Sequence, residues 1–177
     1  FSALVGDEVY RKSFATTAVF SLWVAGLGIG LSFVLAFFAD RALRTQPLYT
    51  SLLLLPYAVA PAVAGALWLF LFSPTVGVAT WVLARAGLEF NFLLDSDHGM
   101  ALVVMASVWK QVSYNFLFFL AGLRSIPKSL IEAATIDGAG VWHRLRTIQL
   151  PLLSPTTFFL LVMNTIYAFF ETFGVID

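Results

Sequence analysis

The side chains of this chain that could bind, carry or transfer anything are few, and most stand inside oily stretches. In SVWKQVSYN (107–115), Ser107, Lys110, Gln111, Tyr114 and Asn115 interrupt an apolar run. At about 100° per residue the five fall within an arc of about 140° on one helix face. Farther on, Thr157, Asn164 and Glu171 stand seven apart and share a face, with Tyr167 beside them. Hydroxyls, amides, one ammonium and one carboxylate can solvate a polar solute or hydrogen-bond helix to helix. They do not make a hydrolytic or redox centre. There is no cysteine, which removes thiolate nucleophiles, disulfides and cysteine-ligated metals. There is no GxxxxGK[ST] phosphate loop either, so the chain does not hold ATP by that device.

A second kind of segment lies between two of the oily stretches: IEAATIDGAGVWHRLRTIQLPLLSP (131–155). It is charged, hinged by glycine and closed by proline, and reads as a lever that another protein pushes.

The elements that must position these residues follow from composition. Of 177 residues, 60% are hydrophobic and 11% charged. Soluble domains carry about 25% charged residues, so the bilayer is the better solvent for this chain. Net charge is zero, and bulk electrostatics gives no sign of nucleic acid. With Phe1 first and Asp177 just after an apolar run, the chain is expected to be an internal piece of a longer protein.

Four segments approach the roughly 20 apolar residues a crossing needs: 14–39, 48–72, 100–123 and 152–170. Each must be helical to satisfy its own backbone in lipid. The fold class is therefore all-α, a polytopic transmembrane bundle. Arg41 and Arg44 follow the first span; Arg124, Lys128, Arg144 and Arg146 lie in 124–151. The 73–99 stretch has one base, Arg85, against Glu89, Asp95 and Asp97. Bases favour the cytoplasmic side, so 40–46 and 124–151 are inside. The 73–99 stretch, with a short interfacial helix near 80–88, is outside, and so are residues 1–13. Arg11 and Lys12 are exceptions that the larger basic loop outweighs. His98 and His143 then fall on opposite sides, which leaves no site for a membrane enzyme.

Within the spans, Gly26 and Gly30 form a GxxxG, expected to admit a close helix. Pro56 and Pro61 in PYAVAP should kink or break the second span, shaping either a path or a packing bend. Lys110 stands near the middle of the third span, where a charge is expensive. It either lines an aqueous path or pairs with a carboxylate or carbonyl, Glu171 being one candidate. Asn164 is open to the same two readings, path or interhelical bond.

In the loop, Pro127 suits a first helical turn, and Ser129 with Glu132 fits a capping box. A short helix through 130–137 should stop at Gly138 or Gly140. A second helix follows, with Val141, Leu145 and Ile148 on its apolar side, and Pro151 closes it. Such structure exceeds what a link between two antiparallel spans requires. Ala133 and Ala134 allow close approach, while Glu132 and Asp137 offer charge to a partner's bases.

These residues carry a resemblance. Glu132-Ala-Ala, three residues, Gly138, nine residues, then Ile148-Gln-Leu150-Pro151 resembles the EAA signature of permeases of binding-protein-dependent ABC importers. Residues 52–74, 107–140 and 164–177 are similar to the branch of that family that imports sn-glycerol-3-phosphate, and the likeness runs over about 14–177.

The resemblance implies six spans, of which four are present here, and a multi-pass protein of the bacterial inner membrane. It implies that Glu132, Ala133, Ala134, Asp137, Gly138, Ile148, Leu150 and Pro151 couple to a cytoplasmic ABC ATPase dimer. ATP and Mg would sit on that dimer, with no cofactor on this chain. A second homologous permease would complete the pore, and an extracytoplasmic solute-binding protein would deliver cargo. Lys110, Gln111, Tyr114, Asn115, Asn164 and Glu171 would belong to the substrate path. A buried cation suits a phosphate ester. An ABC permease for a sugar, oligosaccharide or polyol is an alternative, and an ion-coupled carrier using Lys110 and Glu171 is a third reading.

Overall fold

The structure is a computed structural model and describes residues 8–41 and 46–170. Among the described residues there are helices and turns but no strand. In order come α1 (Glu8–Arg41), α2 (Gln46–Ala58), α3 (Pro61–Leu71), α4 (Val78–Arg85), α5 (Ser96–Ser125) and α6 (Lys128–Ile136). Then follow α7 (Val141–Arg144), a π-helical turn (Leu145–Gln149), α8 (Leu150–Leu152) and α9 (Ser154–Phe170).

Two helices are long and apolar enough to cross a membrane unbroken: Tyr10–Arg41 within α1 and all of α5. The second expected span is a bent pair, and the fourth, expected over 152–170, forms one only together with the loop segment 141–152 before it. Leu48–Ala58 and Pro61–Leu71 meet at 99°, and Val141–Leu152 and Ser154–Ala168 meet at 62°. The first break has a local cause. Pro61 opens α3, and the ring of a proline drives the preceding residue out of the helical region. Ala60 accordingly sits at φ −60°, ψ 142°. The second bend falls at Leu153, between Pro151 and Pro155.

The helix α5 is the centre, packed by α1, α2, α3 and α9. Its alignment with α1 is parallel. Phe20 and Val24 join Val104 and Val108 in one buried cluster, while Ala36 and Ala39 join Phe119 and Leu123 in another. The opposite sense holds for α9: Leu153, just before its start, lies with Leu123, and its Ala168 lies with Val104. Arg41, Arg124 and the 141–152 segment therefore share one end of the bundle, the end the charge pattern puts inside. There the Arg41 guanidinium lies 3.4 Å over the Phe37 ring.

The glycine expectation needs correcting. A Cβ on Gly26 or Gly30 would meet nothing within 4 Å among the described residues. It is Gly28 that faces the interior. A Cβ there would stand 3.4 Å from Asn115 Nδ2 and 3.6 Å from Asn164 Oδ1. A hydroxyl one turn on reinforces this contact: Ser32 Oγ lies 2.5 Å from Gly28 O and 3.1 Å from Val112 O, linking α1 to α5.

On the far side, the expected short helix is present as α4 and is ended by Gly87 at φ 78°. Arg85 covers the Trp81 ring at 3.9 Å. Gly77, at the N-cap of α4, has no room for a side chain: a Cβ would come within 2.5 Å of Leu71 O and Ser73 O.

Candidate functional site

At the α2–α3 break the bundle opens into a cavity of about 440 Å³. Four parts of the chain wall it: Val24 from α1, Tyr57 to Ala64 around the break, Ala106 to Tyr114 from α5, and Tyr167 and Ala168 from α9. The space exists because the break removes a turn of helix and because Ala58, Ala60, Ala64 and Ala106 supply little bulk. Into it project Ser107, Lys110, Gln111 and Tyr114, the arc read from the sequence. Tyr57, which no motif in the sequence singles out, stacks on Tyr114 with centroids 6.2 Å apart at 25°. Tyr167 meets Tyr114 edge-on at 6.0 Å.

The polar side chains of this cavity are not spent on one another. Among the described residues Ser107, Lys110 and Gln111 make no hydrogen bond through their side chains. The ion pairs there are Glu8–Lys12 and Asp95–His98, so none holds Lys110. Glu171, the partner expected for Lys110 from the sequence, lies outside the described residues.

Asn115 and Asn164 have a different position from the expected one. They line no part of the cavity wall; both are 0% exposed. Asn115 Nδ2 donates to Asn164 Oδ1 at 3.0 Å, and Asn164 Nδ2 donates to Asn115 Oδ1 at 2.7 Å. The Asn164 amide also donates to Leu160 O at 2.7 Å. This is a reciprocal amide clamp between α5 and α9, seated on Gly28. The physical reason is phase: Asn115 stands at the edge of the polar arc, about 80° from Ser107, so it faces α9 and not the opening. Thr157, on the same face of α9, turns its hydroxyl back to Leu153 O at 2.9 Å. One neighbour is less well served, since Ser113 Oγ is buried with no partner among the described residues.

The loop forms a strut at the arginine-rich end. The helix α6 starts from Pro127, and its N-cap makes no side-chain bond, so the expected Ser129–Glu132 capping box is absent. With Lys128 as the first helical residue, Ser129 is already inside the helix and cannot cap it. The C-terminus follows the expectation. Gly138, at φ 80°, donates to Thr135 O at 3.0 Å, and Ala139 donates to Ala134 O at 2.9 Å. That pair of bonds is a Schellman closure, which glycine permits without strain. Beyond the hinge, Arg144 Nη1 bonds Thr135 Oγ1, tying α7 back to α6.

Glu132, Ala133, Asp137 and Gly138 are exposed, and Ala134 is half-buried. Ala134, Asp137, Gly138 and Ile148 share a shallow groove with His143 and Thr147. Leu150 and Pro151 are also exposed. Inward contact of α6 runs through Ile131, packed on the core cluster. Pro151 does not close the second helix as expected. The chain stays helical to Leu152, but Leu150 N reaches back to Leu145 O, a π-turn. A proline ring collides with the carbonyl four residues earlier, and a widened turn relieves this.

Residues 23–176 match the family described as binding-protein-dependent transport system inner membrane component. The chain belongs to this family. Among relatives of this inner membrane component, the sn-glycerol-3-phosphate transport system permease protein UgpA of Yersinia pseudotuberculosis is 58% identical over 177 residues. The UgpA of Agrobacterium fabrum is 55% identical over 176 residues, 99% of this chain. The chain spans 60% of the length of either relative.

Solved structures agree on the fold of the inner membrane component. A bacterial ABC transporter involved in the import of the acidic polysaccharide alginate superposes with TM-score 0.83 at 23% identity, over 95% of this chain and 60% of its own. The alginate ABC transporter in complex with alginate pentasaccharide-bound periplasmic protein gives TM-score 0.85 at 24% identity, over 97% and 62%.

Proposed function

We propose that this chain forms the membrane path of an ATP-driven importer for sn-glycerol-3-phosphate and is itself a non-catalytic subunit. The observation that carries the cargo is the 58% identity, over the whole chain, to a permease named for that ester. In this reading a second, homologous permease faces this one in the bacterial inner membrane. A solute-binding protein delivers cargo on the side of α4. A cytoplasmic ATPase dimer, holding ATP and Mg, grips the strut at the other end.

Two features of the chain support the coupling role. The helix α6 rests on the bundle through Ile131 and leaves Glu132, Ala133 and Asp137 exposed, available to a cleft on a partner. Its ends are fixed, by Pro127 on one side and by the Gly138 closure and the Thr135–Arg144 bond on the other. A short strut fixed at both ends moves as a body. Closure of the ATPases around it displaces α7 and, through the bend at Leu153, α9. Because α9 supplies Tyr167 and Ala168 to the cavity wall, that displacement changes the opening around Lys110, Gln111 and Tyr114.

The test is ATP hydrolysis by the full-length complex in liposomes with its binding protein, comparing glycerol-3-phosphate with neutral sugars. Stimulation by the ester alone is expected; stimulation by a sugar overturns the cargo. In the same assay Glu132→Lys is expected to leave the membrane subunits assembled while uncoupling uptake from hydrolysis. Normal uptake by that variant would remove the strut from the mechanism.

A further inference from the structure

We propose that the cavity at the α2–α3 break is a binding station for a small phosphate ester, where cargo pauses on this subunit. Lys110 is its phosphate-binding group, Ser107 and Gln111 are its hydrogen-bond partners, and the Tyr57–Tyr114–Tyr167 wall holds the carbon skeleton. This rests on the reading of the chain as a permease for a phosphorylated solute, and it deepens that reading.

Volume is the first support. About 440 Å³ lies in the range of small-molecule sites. A charge inside a membrane bundle is ordinarily paired or turned to an aqueous cavity; half-buried Lys110 lines the cavity, and among the described residues no carboxylate holds it. Elsewhere in the bundle interior, Asn115, Asn164 and Ser32 have found protein partners. Ser107, Lys110 and Gln111 line one wall of the cavity without bonding each other, which leaves them available to a ligand's oxygens.

Charge then selects the ligand class. Among the described residues the wall carries one cation and no carboxylate. A cationic solute is repelled, and a neutral polyol can accept the ammonium's hydrogen bonds but does not balance its charge. A phosphate monoester supplies acceptor oxygens for Lys110, Gln111 and Ser107 at once. The stacked pair Tyr57–Tyr114 and the edge-on Tyr167 form an apolar face with hydroxyl rims. A short carbon chain bearing hydroxyls suits that face. The phosphate could also come from a lipid headgroup. The tyrosine wall and small volume favour the soluble ester, to which the proposal commits.

The experiment uses the full-length permease–ATPase complex in nanodiscs without the binding protein, so that only the membrane site is read. Equilibrium binding of radiolabelled glycerol-3-phosphate is measured with glycerol, inorganic phosphate and phosphatidylglycerol-doped discs as competitors. Expected are saturable binding, competition by inorganic phosphate but not by glycerol, and indifference to phosphatidylglycerol. Lys110→Met should accumulate normally and lose affinity by about tenfold or more, Lys110→Arg should recover most of it, and Gln111→Leu should fall between.

Unchanged binding in Lys110→Met overturns the proposal, and so does displacement by phosphatidylglycerol. Failure of Lys110→Met to accumulate also overturns it, because Lys110 is then a structural group. The cargo reading fails separately. If liposome ATPase ignores glycerol-3-phosphate while Lys110-dependent binding of inorganic phosphate persists, the station stands and the ester it serves is another.

Discussion

The cavity at the α2–α3 break and the clamp at Asn115–Asn164 are neighbours on α5, made from similar side chains, and opposite in how their polar atoms are answered. In the clamp each amide meets its partner inside the protein, and no surface is left to water. In the cavity the amide of Gln111, the ammonium of Lys110 and the hydroxyl of Ser107 face open space. Only one helical turn separates the two. The difference teaches that polarity within a span is not itself a sign of a path. What matters is whether the polar atoms are satisfied before any solute arrives.

The comparison can be broken most severely at Gly28. Its Cβ position already stands 3.4 Å from Asn115 Nδ2, so Gly28→Leu must push both amides apart. Overpacking alone costs about 1–3 kcal/mol, and the broken pair adds to it. A marked drop in the thermal midpoint of the detergent-solubilised complex is expected. Gly26→Leu, in open space among the described residues, should stay within about 0.5 kcal/mol of the parent. Equal midpoints for the two variants would show that the clamp is not seated on Gly28.

Next in size is Asn115→Leu, which leaves the buried Asn164 carbonyl oxygen without its donor, a loss of about 1–3 kcal/mol. The double variant Asn115→Leu with Asn164→Leu should regain part of that stability, because neither amide is then stranded. Both should keep the parent KM for cargo-stimulated hydrolysis per folded complex. A raised KM at unchanged stability would move the asparagines back into the path.

Tyr57→Phe should behave in the reverse manner. It removes one hydroxyl from the cavity, keeps the ring stack on Tyr114, and should leave the midpoint within about 0.5 kcal/mol. Cargo affinity should fall by a few fold. The smallest effect is expected from Thr135→Val at the exposed end, outside both regions. It frees Arg144 from α6 without changing stability measurably, and reads out as a lower ratio of uptake to hydrolysis.

Much of this is legible in the residues, for reasons that also explain what is not. The spans α1 and α5 are announced by long apolar runs with few charges. Pro56 and Pro61 announce a break, since their chemistry is local; the 99° angle is not announced, since packing against α5 sets it. The arc holding Lys110 and Gln111 follows from helical period alone. Asn115 escapes such a reading because a wheel gives directions and not neighbours, and its direction happens to be that of α9. The glycine pattern misleads in the same way: Gly26 and Gly30 share a face, but the face that α5 and α9 cover belongs to Gly28. Gly138 is readable because left-handed backbone selects glycine. The capping box is not, because the N-cap falls at Pro127, two residues too early for Ser129 to cap the helix. Tyr57 carries no local signal, standing in a segment whose prolines dominate its chemistry.

The π-turn at Leu145–Gln149 has a bearing on timing around the helix axis. It takes up about one residue more per turn than an α-helix, so the segments on either side keep their relative direction while the residue numbers slip by one, about 100° on a wheel. A wheel drawn straight through 141–152 is therefore out of phase with itself. The direction in which Ala133 and Ala134 point is fixed by the number of residues between the strut and α9 as much as by their kind. Deleting Arg146 from this turn would let an ordinary α-turn replace the wide one and leave the alanine surface near its present direction, whereas forcing the same residues into α-helical turns without a deletion would rotate it by about a quarter of a revolution.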